Sequence, residues 1–464
     1  MHSDGIESCR VQHIQVDEFG KCWWGRSRLV VDVIRGICRD SELPCSRSAI
    51  RIPESVVSIA RNGAVGMTEG IQRFGVLRFR TVAWIVGLWA IFLPPLAKDA
   101  GNLRAADELL TDVRIQTTDG ERQIAGRVVA EGAAGELLVE DSIGRMRQLV
   151  KTELLSREDR RGEWGPADSA ELARQLTAEA GAEFGVHETE HYLVCSNCGT
   201  GYHQFIGKLL ETVYSQYFSF WEKLQVSVKA PERRLPVLLF QSESEFQAFA
   251  ARIHPETDFA GVPGFYSVRD NLVLVVDLTR DRALRDVASV RKKLADQPLQ
   301  VATIVHEAVH QLAFNSGLQQ RFADFPVWYS EGLALHFEPP TERAPVLWSR
   351  PGQVSARHQP EFMRLVRDQA LSVPLSDLLI SDGVFQSTET AVAAYAESWA
   401  LVSYLIRQKP EQFAAYVARL QQLAPLQSVS AAERQQMFVE AVGEQPSEVV
   451  ERLIPWVRRL RVPR

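Results

Sequence analysis

The segment HEAVH at residues 306–310 contains side chains that can bind a metal ion and activate water. Apolar residues recur with helical spacing from residue 301 to residue 312, so the segment is predicted to lie in a helix. His306 and His310 are four apart and therefore share one helical face, where both imidazoles can reach a single Zn²⁺. Glu307, one step round the helix, is placed to act as a general base on a metal-bound water.

A second formal match, HETEH at residues 187–191, needs a different interpretation. It follows Gly185-Val186 and leads into Tyr192-Leu193-Val194, a pattern typical of a β-strand. Side chains four apart in a strand do not stack as they do on a helix. We therefore predict that this segment is strand and binds no metal.

Glu331 is the third candidate ligand, in the segment WYSEGLA at residues 328–334. Phe325-Pro326 breaks the chain before it, so a new helix can begin and return Glu331 to the histidine face. Two histidines and one glutamate, with a fourth position left for water, are typical of a catalytic zinc site. The sequence thus predicts one Zn²⁺ per chain, held by His306, His310 and Glu331.

Together, HEAVH and WYSEGLA resemble the gluzincin metallopeptidases, most closely the bacterial peptidase MA-like group. The resemblance implies a thermolysin-like α+β catalytic region, a zinc cofactor and a peptide or protein substrate. It also implies that Glu307 is the catalytic base. Metzincins do not fit, because they need Gly at 313 and His at 316, where this chain has Ala313 and Ser316. The G-x-M-E-N signature of some aminopeptidases is also missing from the sequence.

Several gluzincin groups carry a tyrosine after the glutamate ligand, in a Y-x-x-[GS] pattern, that donates a hydrogen bond to the developing oxyanion. Tyr395 followed by Ser398 is similar, so the resemblance implies Tyr395 as a second catalytic residue. A tyrosine packed in a helix is the alternative, and Tyr404 is the second candidate for the role.

One position departs from the family pattern. Many gluzincins have an aspartate four residues after the ligand glutamate, where it orients a ligand histidine, but this chain has Leu335. Asp324, Glu338 or a backbone carbonyl must then orient the imidazole. His336 is interpreted as a residue of the helix surface rather than a ligand.

Length and composition are those of a globular protein. The chain has 464 residues, 45% of them hydrophobic and 24% charged, which leaves room for two or three domains. The net charge of -6 gives no reason to expect nucleic-acid binding. The oligomeric state stays open.

The first 97 residues are expected to precede the mature protein. Residues 1–66 hold four of the six cysteines and have no sustained period, so we interpret them as lying before a translation start at Met67, or as a disordered leader. Residues 67–97 combine basic residues, an apolar run and a small residue at its exit, which describes a secretory signal peptide. An uncleaved membrane anchor is the alternative. The protein is thus predicted to be exported, to the periplasm or the extracellular space.

The remaining chain predicts an α+β protein in three parts. Residues 104–160 read as a small β meander or barrel with an accessory role, followed by a linker over about residues 157–168. Residues 165–345 form the catalytic domain, and residues 346–464 read as a helical C-terminal domain. For Cys195-x-x-Cys198 we favour a local disulfide or no role.

The strand that precedes the HEAVH helix has a predicted role in substrate binding. In gluzincins an edge strand at this position binds the substrate backbone by strand addition. The resemblance suggests that role for residues 271–276, although an ordinary sheet strand fits the pattern equally well.

The functional prediction is an exported metallopeptidase that hydrolyses peptide bonds with a metal-activated water. Two alternatives stay open: a zinc-bound extracytoplasmic binding protein without proteolytic activity, and a metal hydrolase of a non-peptide substrate. The sequence leaves the substrate open, as well as the choice between endopeptidase and exopeptidase action.

Overall fold

The computed structural model describes most of the chain from residue 109 onward. The described ranges are 109–117, 120–255, 257–277, 279, 281, 283–341, 346–368, 375–386 and 388–462. Helices and strands are both abundant in them, which confirms the predicted α+β class. The predicted leader and signal peptide lie outside the described residues.

An antiparallel sheet forms the first part of the described chain. Its strands are β1 (Leu109–Thr117), β2 (Gly120–Glu131), β3 (Leu137–Glu140), β4 (Met146–Leu149) and β5 (Leu154–Glu163). The strand order β4-β3-β2-β1-β5 confirms the meander of the first four strands. The predicted linker was wrong over residues 157–163, which belong to β5 and pair antiparallel with β1, whereas residues 164–168 do connect two elements.

The catalytic region predicted for residues 165–345 contains a mixed sheet and its covering helices. Its elements are α1 (Ser169–Ala180), β6 (Gly185–Glu188), β7 (Tyr192–Ser196), α2 (Thr200–Lys223), β8 (Leu235–Phe240), α3 (Glu243–Ile253), β9 (Gly264–Ser267), β10 (Leu272–Val276), α4 (Val287–Ala295), α5 (Pro298–Asn315) and α6 (Val327–Phe337). Among the described strands the order is β6-β7-β8-β10-β9. The neighbours β7, β8 and β10 run parallel, and β6 and β9 pair antiparallel at the two edges.

Strand β8 shows why the central strands of this sheet have continuously apolar sequences. Val237 and Leu239 face one core, which they share with residues of α2 and α5. Leu238 and Phe240 face the opposite core, which they share with residues of α1 and α3. Successive side chains of a strand point to opposite faces, so a sheet covered by helices on both sides needs apolar residues at every position.

The C-terminal part is helical, as predicted. Its helices are α7 (His358–Arg367), α8 (Leu375–Ile380), α9 (Thr388–Gln408), α10 (Pro410–Leu420), α11 (Ala431–Val442) and α12 (Pro446–Arg459). Local signals fix the ends of α11: Ser430 and Glu433 form a capping box, and Gly443 ends the helix at φ +75°. Within the described ranges, every helix is too short or too polar to cross a lipid bilayer.

The meander is attached to the mixed-sheet region by buried polar contacts. The N–H of Met146 donates to the carbonyl of Arg269 in the β9–β10 turn at 2.8 Å. The buried guanidinium of Arg321, in the α5–α6 connection, donates to the Gly144 carbonyl at 2.6 Å and to Glu140 Oε1 at 3.0 Å. The turn before β4 therefore touches both the β9–β10 turn and the connection between the two motif helices.

Cys195 and Cys198 are not joined by a disulfide, which contradicts the first of the two alternatives predicted for this pair and leaves the second, no role. Cys195 is fully buried on β7, and burial raises the pKa of its thiol to about 12. A buried neutral thiol of this kind behaves as a small apolar side chain.

Candidate metal centre

Helix α5 brings the two histidines together as the sequence predicted. Pro298 begins the helix, and one further turn separates His306 from His310. Their Nε2 atoms lie 3.1 Å apart, which shows that both imidazoles point at the same place. The side chain of His306 is 13% exposed and that of His310 is 7% exposed, so the site is nearly closed to solvent.

Helix α6 delivers Glu331 to the same point. Oε2 of Glu331 lies 3.3 Å from Nε2 of His306, and Oε1 lies 3.6 Å from Nε2 of His310. Ligand atoms held about 2.0–2.1 Å from a tetrahedral Zn²⁺ are roughly 3.3–3.4 Å apart. The two histidine nitrogens are 3.1 Å apart, and each lies 3.3 or 3.6 Å from a different oxygen of Glu331, so these separations bracket that value. The donor set therefore fits a zinc ion, and these residues form the His/Glu cluster able to hold a metal among the described residues.

The carboxylates around His306 favour its protonated form. Burial alone would lower the pKa of His306, but hydrogen bonds to Glu331 and Glu338 outweigh it and hold that pKa well above its usual value. Burial lowers the pKa of His310 to about 4, so this histidine is neutral. Burial would raise the pKa of Glu331, but its two histidine neighbours keep it below its usual value. A bound divalent cation would replace the proton on His306.

Glu338 replaces the aspartate that the sequence lacks. Its Oε2 lies 2.8 Å from Nδ1 of His306 and so directs Nε2 toward the other two ligands. Burial opposes its ionisation, but hydrogen bonds to His306 and His358 lower the pKa of Glu338 to about 2. Asp324, the other carboxylate predicted for this task, accepts instead from Arg434 at 2.7 Å.

Glu307, the predicted general base, is held at the edge of the mixed sheet. It is buried, and its Oε2 accepts the backbone N–H of Tyr266 on β9 at 2.8 Å. The predicted edge strand, residues 271–276, was wrong, because β10 lies between β8 and β9. The edge next to the motif helix is β9, one hairpin strand earlier in the chain.

The two tyrosine candidates lie in different halves of α9 and pack against different neighbours. Tyr395 is half-buried, with its ring centroid 5.4 Å from that of Phe385. Tyr404 packs against Trp456 of α12 at 5.6 Å. A role for Tyr395 as oxyanion donor stays a prediction.

In the second match, HETEH, the two histidines do not converge on one point. The match spans the β6–β7 hairpin, so the segment predicted to be strand contains the turn between two strands. Nδ1 of His191 lies 2.7 Å from Glu211 Oε2, whereas the ring of His187 stacks on His203 at 5.2 Å. The two histidines of the match thus have separate partners.

His336 is not on the helix surface, so that interpretation was wrong. Only 3% of the residue is exposed, and its Nδ1 lies 2.9 Å from Ser403 Oγ on α9. Burial lowers the pKa of His336 to about 3. The chain after α6 folds back over it, with the Gly352 N–H donating to the His336 carbonyl at 2.9 Å.

The chain matches a family model described as a protein of unknown function, DUF1570, over residues 300–427. That range includes HEAVH, Glu331 and Tyr395. No curated protein matches the chain.

Proposed function

We propose that this chain is an exported zinc-dependent metallopeptidase. The observation that carries the proposal is the convergence of His306, His310 and Glu331 on one point. Glu307 follows a ligand directly on α5, and its charge contributes to the raised pKa of His306. Two imidazoles and one carboxylate form the three-ligand set of a catalytic rather than a structural zinc site.

The proposed chemistry divides between the metal and Glu307. A zinc ion held by His306, His310 and Glu331 would supply a Lewis acid, which would lower the pKa of a water and polarise the substrate carbonyl. Glu307 accepts a proton from the water as the water oxygen attacks the carbonyl carbon. It then passes that proton to the leaving nitrogen as the C–N bond breaks. The contact with the Tyr266 N–H fixes the base for both transfers.

A peptide is the proposed substrate because HEAVH and WYSEGLA resemble the gluzincin motifs. Strand β9 does not supply an open edge for strand addition, because its four residues are buried and Glu307 already accepts the Tyr266 N–H. Tyr395 is the proposed donor to the oxyanion. The exported location is proposed from the signal-like pattern of residues 67–97.

Replacing Glu307 with glutamine tests the proposal. Glutamine keeps the size and an acceptor for the Tyr266 N–H but cannot take the water proton. We expect peptide turnover to fall by about 10²–10⁴-fold, with zinc content unchanged. Peptide-library digestion and metal analysis measure the two quantities.

The matched control is Glu188→Gln, which changes the glutamate at the same position of HETEH and should leave turnover unchanged. Turnover that persists in Glu307→Gln would refute the assignment of the base. A wild-type protein that binds zinc and cleaves no peptide would favour a binding protein.

A further inference from the structure

A buried amide side chain reaches the metal site from the connection between α5 and α6. Gln319 is 0% exposed, and its backbone N–H donates to the Ala313 carbonyl near the end of α5 at 2.9 Å. Its Oε1 lies 3.3 Å from the hydroxyl of Ser330. The same hydroxyl lies 3.3 Å from Nδ1 of His310. Two polar contacts therefore join Gln319 to a proposed metal ligand.

The direction of these hydrogen bonds decides which nitrogen of His310 carries the proton. An amide oxygen only accepts, so the Ser330 hydroxyl donates its one hydrogen to Gln319. The hydroxyl can then meet Nδ1 of His310 only as an acceptor, which requires a hydrogen on Nδ1. In a neutral imidazole the other nitrogen, Nε2, then keeps a free lone pair. Nε2 is the atom that lies 3.6 Å from Glu331 Oε1.

The opposite orientation of the amide would have the opposite effect. The amide nitrogen would donate to Ser330, Ser330 would donate to Nδ1, and the proton would move to Nε2 of His310, where it blocks a metal. In the structure Nε2 of Gln319 has no hydrogen-bond partner among the described residues. It is the amide oxygen of Gln319 that lies within hydrogen-bonding distance of the Ser330 hydroxyl.

We infer that Gln319 is a positioning residue, which acts through Ser330 to hold His310 in the tautomer that binds metal. The inference rests on the proposed metal site. Each of the two ligand histidines is then oriented by a different side chain. Glu338, just beyond α6, orients His306, and Gln319 in the α5–α6 connection orients His310.

Three single variants and one double variant of the full chain test this role. Gln319→Met keeps the length of the side chain but removes the acceptor, whereas Gln319→Glu keeps an acceptor at the same position. Losing such a supporting contact typically weakens metal binding by about 10–100-fold, and we expect that loss for Gln319→Met and for Ser330→Ala. Gln319→Glu should stay within about threefold of the wild type. The double variant Gln319→Met/Ser330→Ala should lose no more than either single variant, because both changes break the same chain.

The measurements are zinc affinity, by competition with a chromogenic chelator, and the absorption spectrum of the Co²⁺-substituted protein. Gln311→Met is the matched control. Gln311 is also 0% exposed and follows His310 directly, but its Nε2 donates to the Pro236 carbonyl at 2.9 Å. This variant should be less stable, with unchanged zinc affinity and Co²⁺ spectrum.

Different results overturn the inference and the proposed function. Zinc affinity of Gln319→Met within about twofold of the wild type would overturn the inference. A loss of zinc affinity in Gln319→Glu as large as that in Gln319→Met would also overturn the inference. If Gln319→Met does not fold, the zinc affinity of Ser330→Ala is measured instead, and a value within about twofold of the wild type would overturn the inference. A wild-type protein that binds no zinc would overturn the proposed metal site itself.

Discussion

Replacing Gly332 with alanine should weaken metal binding by pushing α6 away from α9. Gly332 directly follows the ligand Glu331. A methyl group on it would lie 2.6 Å from the carbonyl oxygen of Ser398 and 2.5 Å from a methyl carbon of Val402. A relaxed C···O contact measures about 3.3–3.6 Å, so the helices would have to separate by roughly 0.7–1.0 Å at this point.

Such a shift is larger than a metal site tolerates. Metal–ligand distances normally stay within about 0.2 Å of their usual values, and Glu331 is in the helical turn that must move. We expect zinc affinity to fall by at least about tenfold, as for the loss of a supporting residue. Overpacking of a buried contact should also lower the free energy of unfolding by about 1–3 kcal/mol.

Chelator competition and thermal unfolding, with and without zinc, measure the two effects. Gly165→Ala is the control, because a methyl group there meets nothing within 4 Å. The reasoning fails if Gly332→Ala binds zinc as tightly as the wild type and unfolds at the same temperature. That result would mean that α6 and α9 can separate without moving the ligand.

Two further predictions concern titratable groups. Because the pKa of His306 is raised well above its usual value in the metal-free site, zinc must displace a proton near neutral pH. Zinc affinity should therefore rise with pH. Calorimetry in buffers of different ionisation enthalpy should detect about one released proton per zinc bound. Zinc affinity that does not change between about pH 6 and pH 8 would contradict this prediction. Burial raises the pKa of Cys195 to about 12, so its thiol should resist alkylation in the native protein and react after unfolding. Mass spectrometry of the peptide that contains Cys195 measures both reactions. Rapid labelling of the native protein would contradict this prediction and show that the core around β7 opens.

The motif helices could be predicted from the sequence because their signals are local. The helical spacing around HEAVH, the break at Pro326 and the position of Glu331 are all contained in one short stretch. The need for a substitute carboxylate followed from Leu335, and Glu338 was one of the two side chains named for it. Gln319 was missed, because a glutamine in a connecting loop carries no sequence signal until its contact with Ser330 is known.

The failures arose where contacts distant in sequence decide the structure. Strand β5 carries mostly charged side chains, and it is a strand because its backbone pairs with β1. Alternation of apolar and polar residues predicts strands but not their order in a sheet. The sequence therefore could not show that β9, rather than β10, lies at the edge. His336 looks like a surface residue on α6 until Ser403 and the returning chain near Gly352 cover it.

Metal stoichiometry tests the central claim most directly. Purified wild-type chain, reconstituted with zinc and dialysed, is compared with Glu331→Ala by elemental analysis. The three-ligand site predicts about one zinc per wild-type chain, and loss or strong weakening of binding in Glu331→Ala. A wild-type chain that retains no zinc, or a variant that retains as much as the wild type, would contradict the metal centre and the peptidase function built on it.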